Sequence, residues 1–275
     1  MGVAISVTAA VMGLELAGGL LSGSLSLLSD SIHMFTHFLS LAIALGAMFI
    51  AAWPRNMQRT FGLYRAEVLA AMINGIGLIP LSGWILYEAY SRMMDPSSID
   101  VGTMLPLAVI GLAANLLTAF ILFRVHRHDL NLRGAIAHML ADTVSSMAVI
   151  AVGLILLFTD LRILDPIVST LIAVMILVWS FSLIRDTLRV LLEIAPKGLD
   201  IENIRSTARC IEGVKDLHDI HAWEITSGMV CMTAHVDVDR TRIGSEEYPG
   251  LIRELRSLML ERFGIVHTVF ELCPT

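Results

Sequence analysis

Charge is what this sequence has least of. Only 16% of its 275 residues are Asp, Glu, Lys or Arg, against about 25% in a typical soluble domain. Hydrophobic residues make up 56% and the mean hydropathy is +0.74. So few charges do not cover a water-facing surface. The composition therefore argues against a disordered chain or an ordinary soluble enzyme and for an integral membrane protein. Three cysteines, Cys210, Cys231 and Cys273, are too few for a disulfide-stapled secreted domain. They read as reduced thiols facing a cytosol. The net charge of −6 lacks the basic balance of a nucleic-acid binder. No basic segment precedes the first apolar stretch, so it does not read as a signal peptide.

The scarcity is uneven. Half of all the charged residues fall in the last 80 positions, and no lysine occurs before Lys197. The expectation is a membrane domain over 1–195 and a small soluble domain over 196–275, meeting near Pro196-Lys197-Gly198. A hydrocarbon core about 30 Å thick needs about 20 helical residues. Six apolar stretches meet that length: Val3–Leu21, Ser26–Ala52, Ala66–Tyr90, Val101–Phe123, Gly134–Phe158 and Ile163–Ile184. Arg55, Arg59 and Arg65 follow the second stretch, and Arg124, Arg127 and Arg133 follow the fourth. The opposite connections offer only Arg92 and Arg162. Basic loops face the cytoplasm, which predicts both termini inside.

Ionisable residues at membrane depth are expensive and default to function. His33 and His37 stand at i and i+4 in the second stretch, on one helical face, with Asp30 at i−3. His138 and Asp142 repeat the spacing in the fifth. A lone intramembrane histidine serves equally well as a hydrogen bond to a neighbouring helix. Two matched pairs on separate helices instead predict four ligands, His33, His37, His138 and Asp142, converging on one tetrahedral, zinc-like ion. Imidazole-rich ligation favours zinc, cobalt, nickel or copper over magnesium, calcium or manganese. Copper is demoted because the 15 methionines form no ladder. Asp30 reads either as a carboxylate orienting an imidazole or as a separate charge on the ion's way in. Glu15, Asn74 and Asn115 read as interhelical glue at least as readily as permeation residues.

Several blocks resemble the cation diffusion facilitator family, its zinc-type members in particular. They are Ser24–Met34, Phe61–Glu67 followed by Leu69–Asn74, Arg133–Asp142 and Asp165-Pro166. In the tail they are Gly213-Val214, His218–Trp223, Ala234–Val236 and His267-Thr268. The similarity covers essentially the whole chain in order. It implies a six-helix transmembrane bundle with a C-terminal cytosolic α+β domain, ferredoxin-like and metallochaperone-like. It further implies a homodimeric, proton-coupled antiporter of a plasma or inner membrane that exports divalent metal, Zn2+ above all, and is not an enzyme. Alternatives are Co2+, Ni2+ or Cd2+ as the main substrate, or a membrane metal sensor without flux.

The resemblance carries departures too. The zinc-type pattern is His-x-x-x-Asp on both helices, and His37 stands where the second carboxylate is usual. One carboxylate then leaves a bound divalent ion with net positive charge, which Asp30 partly offsets. The connection Trp53–Leu63 holds none of the loop ligands that some relatives carry. His126 and His128 are expected to be ordinary interfacial residues. In the tail, His218, His235 and His267, with Glu271 and Cys273 as additions, resemble positions that bind regulatory metal. Arg65 and Glu193 resemble a basic–acidic pair that locks the dimer. Sequence alternation predicts helices at Ile201–Ile211 and Glu246–Phe263. It predicts strands at Val214–Ile225, Met229–Val238 and Ile265–Leu272.

Overall fold

The structure, a computed structural model, describes residues 2–51, 57–58, 60–125 and 132–275. Within these, the side chains of 2–5, 7, 37, 40–41, 44–45, 47–48, 50–51, 118–125, 132–142 and 274 lie outside the described set. His126 and His128 also lie outside the described residues. Two compact units emerge: 1–49 with 70–184, and 50–69 with 185–275.

The first unit is helical. Its elements belong to α1 (Gly2–Ser22), α2 (Leu25–Ala51), α3 (Arg65–Met94), α4 (Val101–Val125), α5 (Leu132–Phe158) and α6 (Leu164–Leu191). At 1.5 Å per residue, 30-residue α3 and 28-residue α6 are about 45 and 42 Å long. Both are apolar and long enough to cross a membrane. Leu27, Leu78, Met104, Val149, Val152 and Ile176 form a buried core joining α2 to α6. Leu25, Leu28, Ile85 and Ala173 form another. Gly19 lets α1 approach α2: a Cβ there would stand 2.9 Å from the Leu28 amide nitrogen.

The start of α2 is held from another helix. Asp165 of α6, 0% exposed, accepts from the Leu25 and Ser26 amides at 2.7 and 3.1 Å. It also accepts from the Ser24 and Ser26 hydroxyls at 2.7 and 2.6 Å. The first amides of any helix lack intrahelical partners, and an anion there satisfies both hydrogen bonding and the dipole. Asp100 caps α4 through Gly102 and Thr103. The Thr103 hydroxyl holds its carboxyl below the usual range.

The second unit contains α7 (Ile201–Ala208), β1 (Val214–Glu224), β2 (Val230–Val238), α8 (Tyr248–Phe263) and β3 (Ile265–Pro274), with a single 3-10 turn before α8. The sheet order is β1-β2-β3, with β1–β2 antiparallel and β2–β3 parallel across α8. Gly228, at φ +78, closes the β1–β2 connection, a conformation that favours glycine. Alternate residues Met232, Ala234, Val236 and Val238 face a core shared with Ile204, Leu255 and Met259. Thr233, His235 and Asp237 occupy the opposite, partly open face. Arg205 and Arg209 both grip Asp216. These hydrogen bonds, Arg205's first, hold its carboxyl well below the ordinary range.

Candidate metal centre

Two groups of candidate ligands sit on these scaffolds. In the helical unit, His33 is 1% exposed, and its ring lies 5.0 Å from that of Trp179 on α6. Asp30, one turn earlier on the same helical face, is equally buried. Its two carboxylate oxygens accept hydrogen bonds from α5: a short one from the Ser145 hydroxyl and one of 2.9 Å from Ser146. Those contacts make α2 and α5 neighbours at this level. His33 is one turn along α2 from the contact, and Asp142 is one turn along α5 from Ser145 and Ser146. The side chains of His37, His138 and Asp142 lie outside the described residues; their backbones are helical.

The other polar residues of the apolar helices divide. Asn115 of α4 donates to Ser146 at 3.3 Å, an interhelical link as its sequence position suggests. Glu15 and the Asn74 amide nitrogen have no hydrogen-bond partner among the described residues.

The second group lies on the open face of the sheet. His218 pairs in register with His235, and His235 with Glu271, so three strands present them on one rung. Asp237 pairs with Cys273 two residues on. The β1 bulge between His218 and His221 leaves Asp219 unpaired at φ +50. There its carboxylate lies 3.0 Å from His221 and 3.7 Å from His235. His218 meets Asp237 at 3.4 Å, and His235 meets Glu271 at 3.5 Å.

One ligand atom each from His218, His235 and Cys273 fall within 4.8 Å of one another. Zinc bonds of about 2.0–2.3 Å place tetrahedral ligands roughly 3.5 Å apart. Small rotamer changes therefore close this group on an ion, with Glu271 or Asp237 as neighbouring oxygen donors. Two imidazoles, a thiol and a carboxylate are a donor set suited to a borderline-soft ion.

His267 sits apart. It pairs with Cys231, four residues from His235 along β2, or about 13 Å. Its ring stands edge-on to Phe61 at 5.5 Å. Cys231 is buried, and desolvation pushes its thiol up. Arg65 and Glu193 form an ion pair at 2.6 Å within the one chain.

Sequence reasoning passed over Ser145, Ser146 and Trp179 beside Asp30 and His33, and Asp219 and Asp237 beside the tail histidines. No spacing marks them, because each reaches its partner from another helix or strand, or around a bulge.

Comparison with known proteins completes the description. The family described as cation efflux transmembrane domain matches residues 1–192. That described as cation efflux protein, cytoplasmic domain, matches residues 196–274. The metal cation efflux system protein CzcD of Cupriavidus metallidurans is 36% identical over 274 residues, 99% of this chain and 86% of that protein. A cadmium, cobalt and zinc/H(+)-K(+) antiporter of Bacillus subtilis is 35% identical over 263 residues, 95% of this chain and 84% of that one. The zinc transporter ZitB of Escherichia coli is 35% identical over 271 residues, 98% and 85% respectively.

Proposed function

The chain belongs to the cation efflux family of metal-cation transporters, and we propose that it is a proton-coupled antiporter exporting divalent transition metal, foremost Zn2+, from the cytosol. Residues 1–195 form a six-helix bundle in a plasma or inner membrane, with both termini cytoplasmic. Residues 196–275 form a ferredoxin-like cytosolic domain that senses metal and joins two copies into a homodimer. The zinc transporter among the relatives and the description of the tail support this reading.

The transport site is His33, His37, His138 and Asp142. The observation that carries it is the Asp30–Ser145/Ser146 contact. It makes neighbours of the two helices that bear the matched pairs, one turn from His33 and one turn from Asp142. Metal ligation requires deprotonated ligands. Imidazole in water titrates near pH 6.5, so a proton arriving from the outer side competes with the metal and releases it. Rocking of helices around the site alternates its access. Asp30, held by two serine hydroxyls, supplies negative charge beside a site with only one carboxylate ligand.

In the cytosolic domain, His218, His235, Cys273 and Glu271 hold the regulatory ion, with His267 set aside on geometric grounds. Occupancy there favours the transporting dimer, coupling two sites through one two-state element.

The deciding experiment is a panel of Zn2+, Cd2+, Co2+ and Ni2+ in proteoliposomes under an imposed pH gradient. Wild type is expected to carry zinc. His33→Ala and His138→Ala are expected to lose more than the roughly 10–100-fold that removal of an outer hydrogen-bond partner costs at a metal site. His37→Asp restores a second carboxylate and is expected to shift preference among the metals. Zinc flux at the wild-type rate in His138→Ala would refute the site assignment. Cadmium or cobalt as the main substrate is the second reading, favoured by His37 in place of a carboxylate.

A further inference from the structure

A large cavity in the second unit is used by neither the transport ligands nor the sheet histidines. It measures about 940 Å³, a size that takes a small organic ligand. All of its lining residues belong to that one unit. Phe61, Leu63, Leu69 and Trp223 supply apolar walls, and Arg65 and Glu193 supply charge. Two contacts hold these walls in place. Phe61 stands edge-on to the His267 ring at 5.5 Å. The Thr226 hydroxyl donates to Glu67, in the first turn of α3, at 2.8 Å.

The charges of the cavity come as one of each sign. Among the described residues, Arg65 and Glu193 are the only Lys, Arg, Asp or Glu that line it. His221 lines it too, with the Asp219 carboxylate 3.0 Å away. Arg65 Nη2 donates to Glu193 Oε1 at 2.6 Å. A guanidinium has five N–H donors, and a carboxylate has about four lone-pair sites. Both side chains are exposed, so this bond leaves each of them capacity toward a ligand. The complement of such a pair is a small zwitterion. A phosphate suits the guanidinium fork. A primary ammonium, with N–H groups to donate, suits Glu193, which only accepts.

The place of the cavity in the chain selects the source of that zwitterion. Leu69 begins an exposed apolar face of α3 that continues at Ile73 and Ile76, at i+4 and i+7. This helix is long and apolar enough to cross a membrane. Glu193 and Ala195, which also line the cavity, fall between the stretches matched to the transmembrane and the cytoplasmic domains. The cavity therefore belongs to the level of the lipid headgroups, where amphipathic rings such as that of Trp223 are enriched. We infer that it binds the headgroup of a zwitterionic phospholipid of the phosphoethanolamine type, with the phosphate on Arg65 and the ammonium on Glu193. The inference rests on the membrane placement of the helical unit, not on its transport chemistry.

Native mass spectrometry of the full-length protein, freed of lipid in mild detergent, tests this without any flux. Phosphatidylethanolamine is expected to add saturably to wild type. Phosphatidylglycerol, which lacks the ammonium, is expected to bind about tenfold more weakly or worse, the scale of one hydrogen bond to a charged group. Arg65→Gln is expected to weaken phosphatidylethanolamine binding by a similar factor. Ala66 also lines the cavity. Ala66→Trp fills it while leaving Arg65 and Glu193 in place, is expected to abolish the binding, and decides the matter should Arg65→Gln fail to fold. Free phosphoethanolamine at equal concentration is expected not to compete, since it brings no apolar part. No saturable binding to folded wild type, equal binding of the two lipids, or undiminished binding in either folded variant overturns the site. Full competition by free phosphoethanolamine overturns a lipid as its source. Loss of the dimer in Ala66→Trp with lipid binding intact would assign the cavity to a second copy of the chain instead. Absence of zinc flux in proteoliposomes would overturn the transporter reading and leave this one standing.

Discussion

Cys273 sets the chemistry of the candidate metal group on the sheet. Thiolate is softer than imidazole or carboxylate, so its presence beside His218 and His235 favours softer metals. Cys273→Ser in the full-length protein is expected to lower cadmium affinity at this site by about tenfold or more, roughly 1.4 kcal/mol, and zinc affinity by less. Calorimetric titration of wild type and variant measures both; an equal loss for the two metals would remove the thiol from the ligand set. The tail histidines were legible as single residues, yet their grouping was not. His267, Glu271 and Cys273 are separated by even numbers, so alternation alone puts all three on one face of β3. Only the parallel register with β2 shows that Glu271 and Cys273 come to His235 while His267 lies four residues away.

Helix α2 illustrates the element scale. Its apolar length was readable from hydropathy, as was the pairing of His33 with His37 by helical period. Its anchorage was not, because Asp165 arrives from α6, 139 to 141 residues away in sequence. An ion-assisted hydrogen bond contributes roughly 1.5–3 kcal/mol, and orphaned buried donors add to the loss. Asp165→Ala is therefore expected to destabilise the helical unit by about 2–4 kcal/mol. It is also expected to slow zinc flux by loosening the helix that carries His33. Thermal unfolding in detergent and proteoliposome flux check this; an unchanged melting temperature would contradict the anchoring role. Helix ends were likewise harder to read than helix cores. α3 continues to Met94 and α6 to Leu191, beyond the apolar stretches. In α3 the Glu88–Arg92 pair, at 2.9 Å, spans the end of the apolar stretch and favours the continued helix by a few tenths of a kcal/mol, roughly 0.2–0.5.

For the whole molecule, Arg65–Glu193 is informative because it is weak as a fold contact. Its side chains are 42% and 57% exposed, and exposed pairs are worth about 0–1 kcal/mol. If it serves the proposed transporting dimer, Arg65→Glu and Glu193→Arg alone are expected to reduce zinc flux severalfold with little change in melting temperature. The double swap is expected to restore it. Flux that is insensitive to all three would assign the pair to the surface. At this scale the sequence by itself determined a great deal. Scarce, unevenly placed charge established a membrane part and a charged tail, since apolar surface must leave water and charge must stay in it. Two i,i+4 pairs nominated the proposed transport ligands through helical period alone. Tertiary structure decided what lies opposite what. It set Ser145 and Ser146 on Asp30, Cys273 beside His218 and His235, and Glu15 over Gly111 with no hydrogen-bond partner among the described residues. Period fixes which face of an element a residue occupies, whereas packing between distant segments fixes the neighbour that it meets.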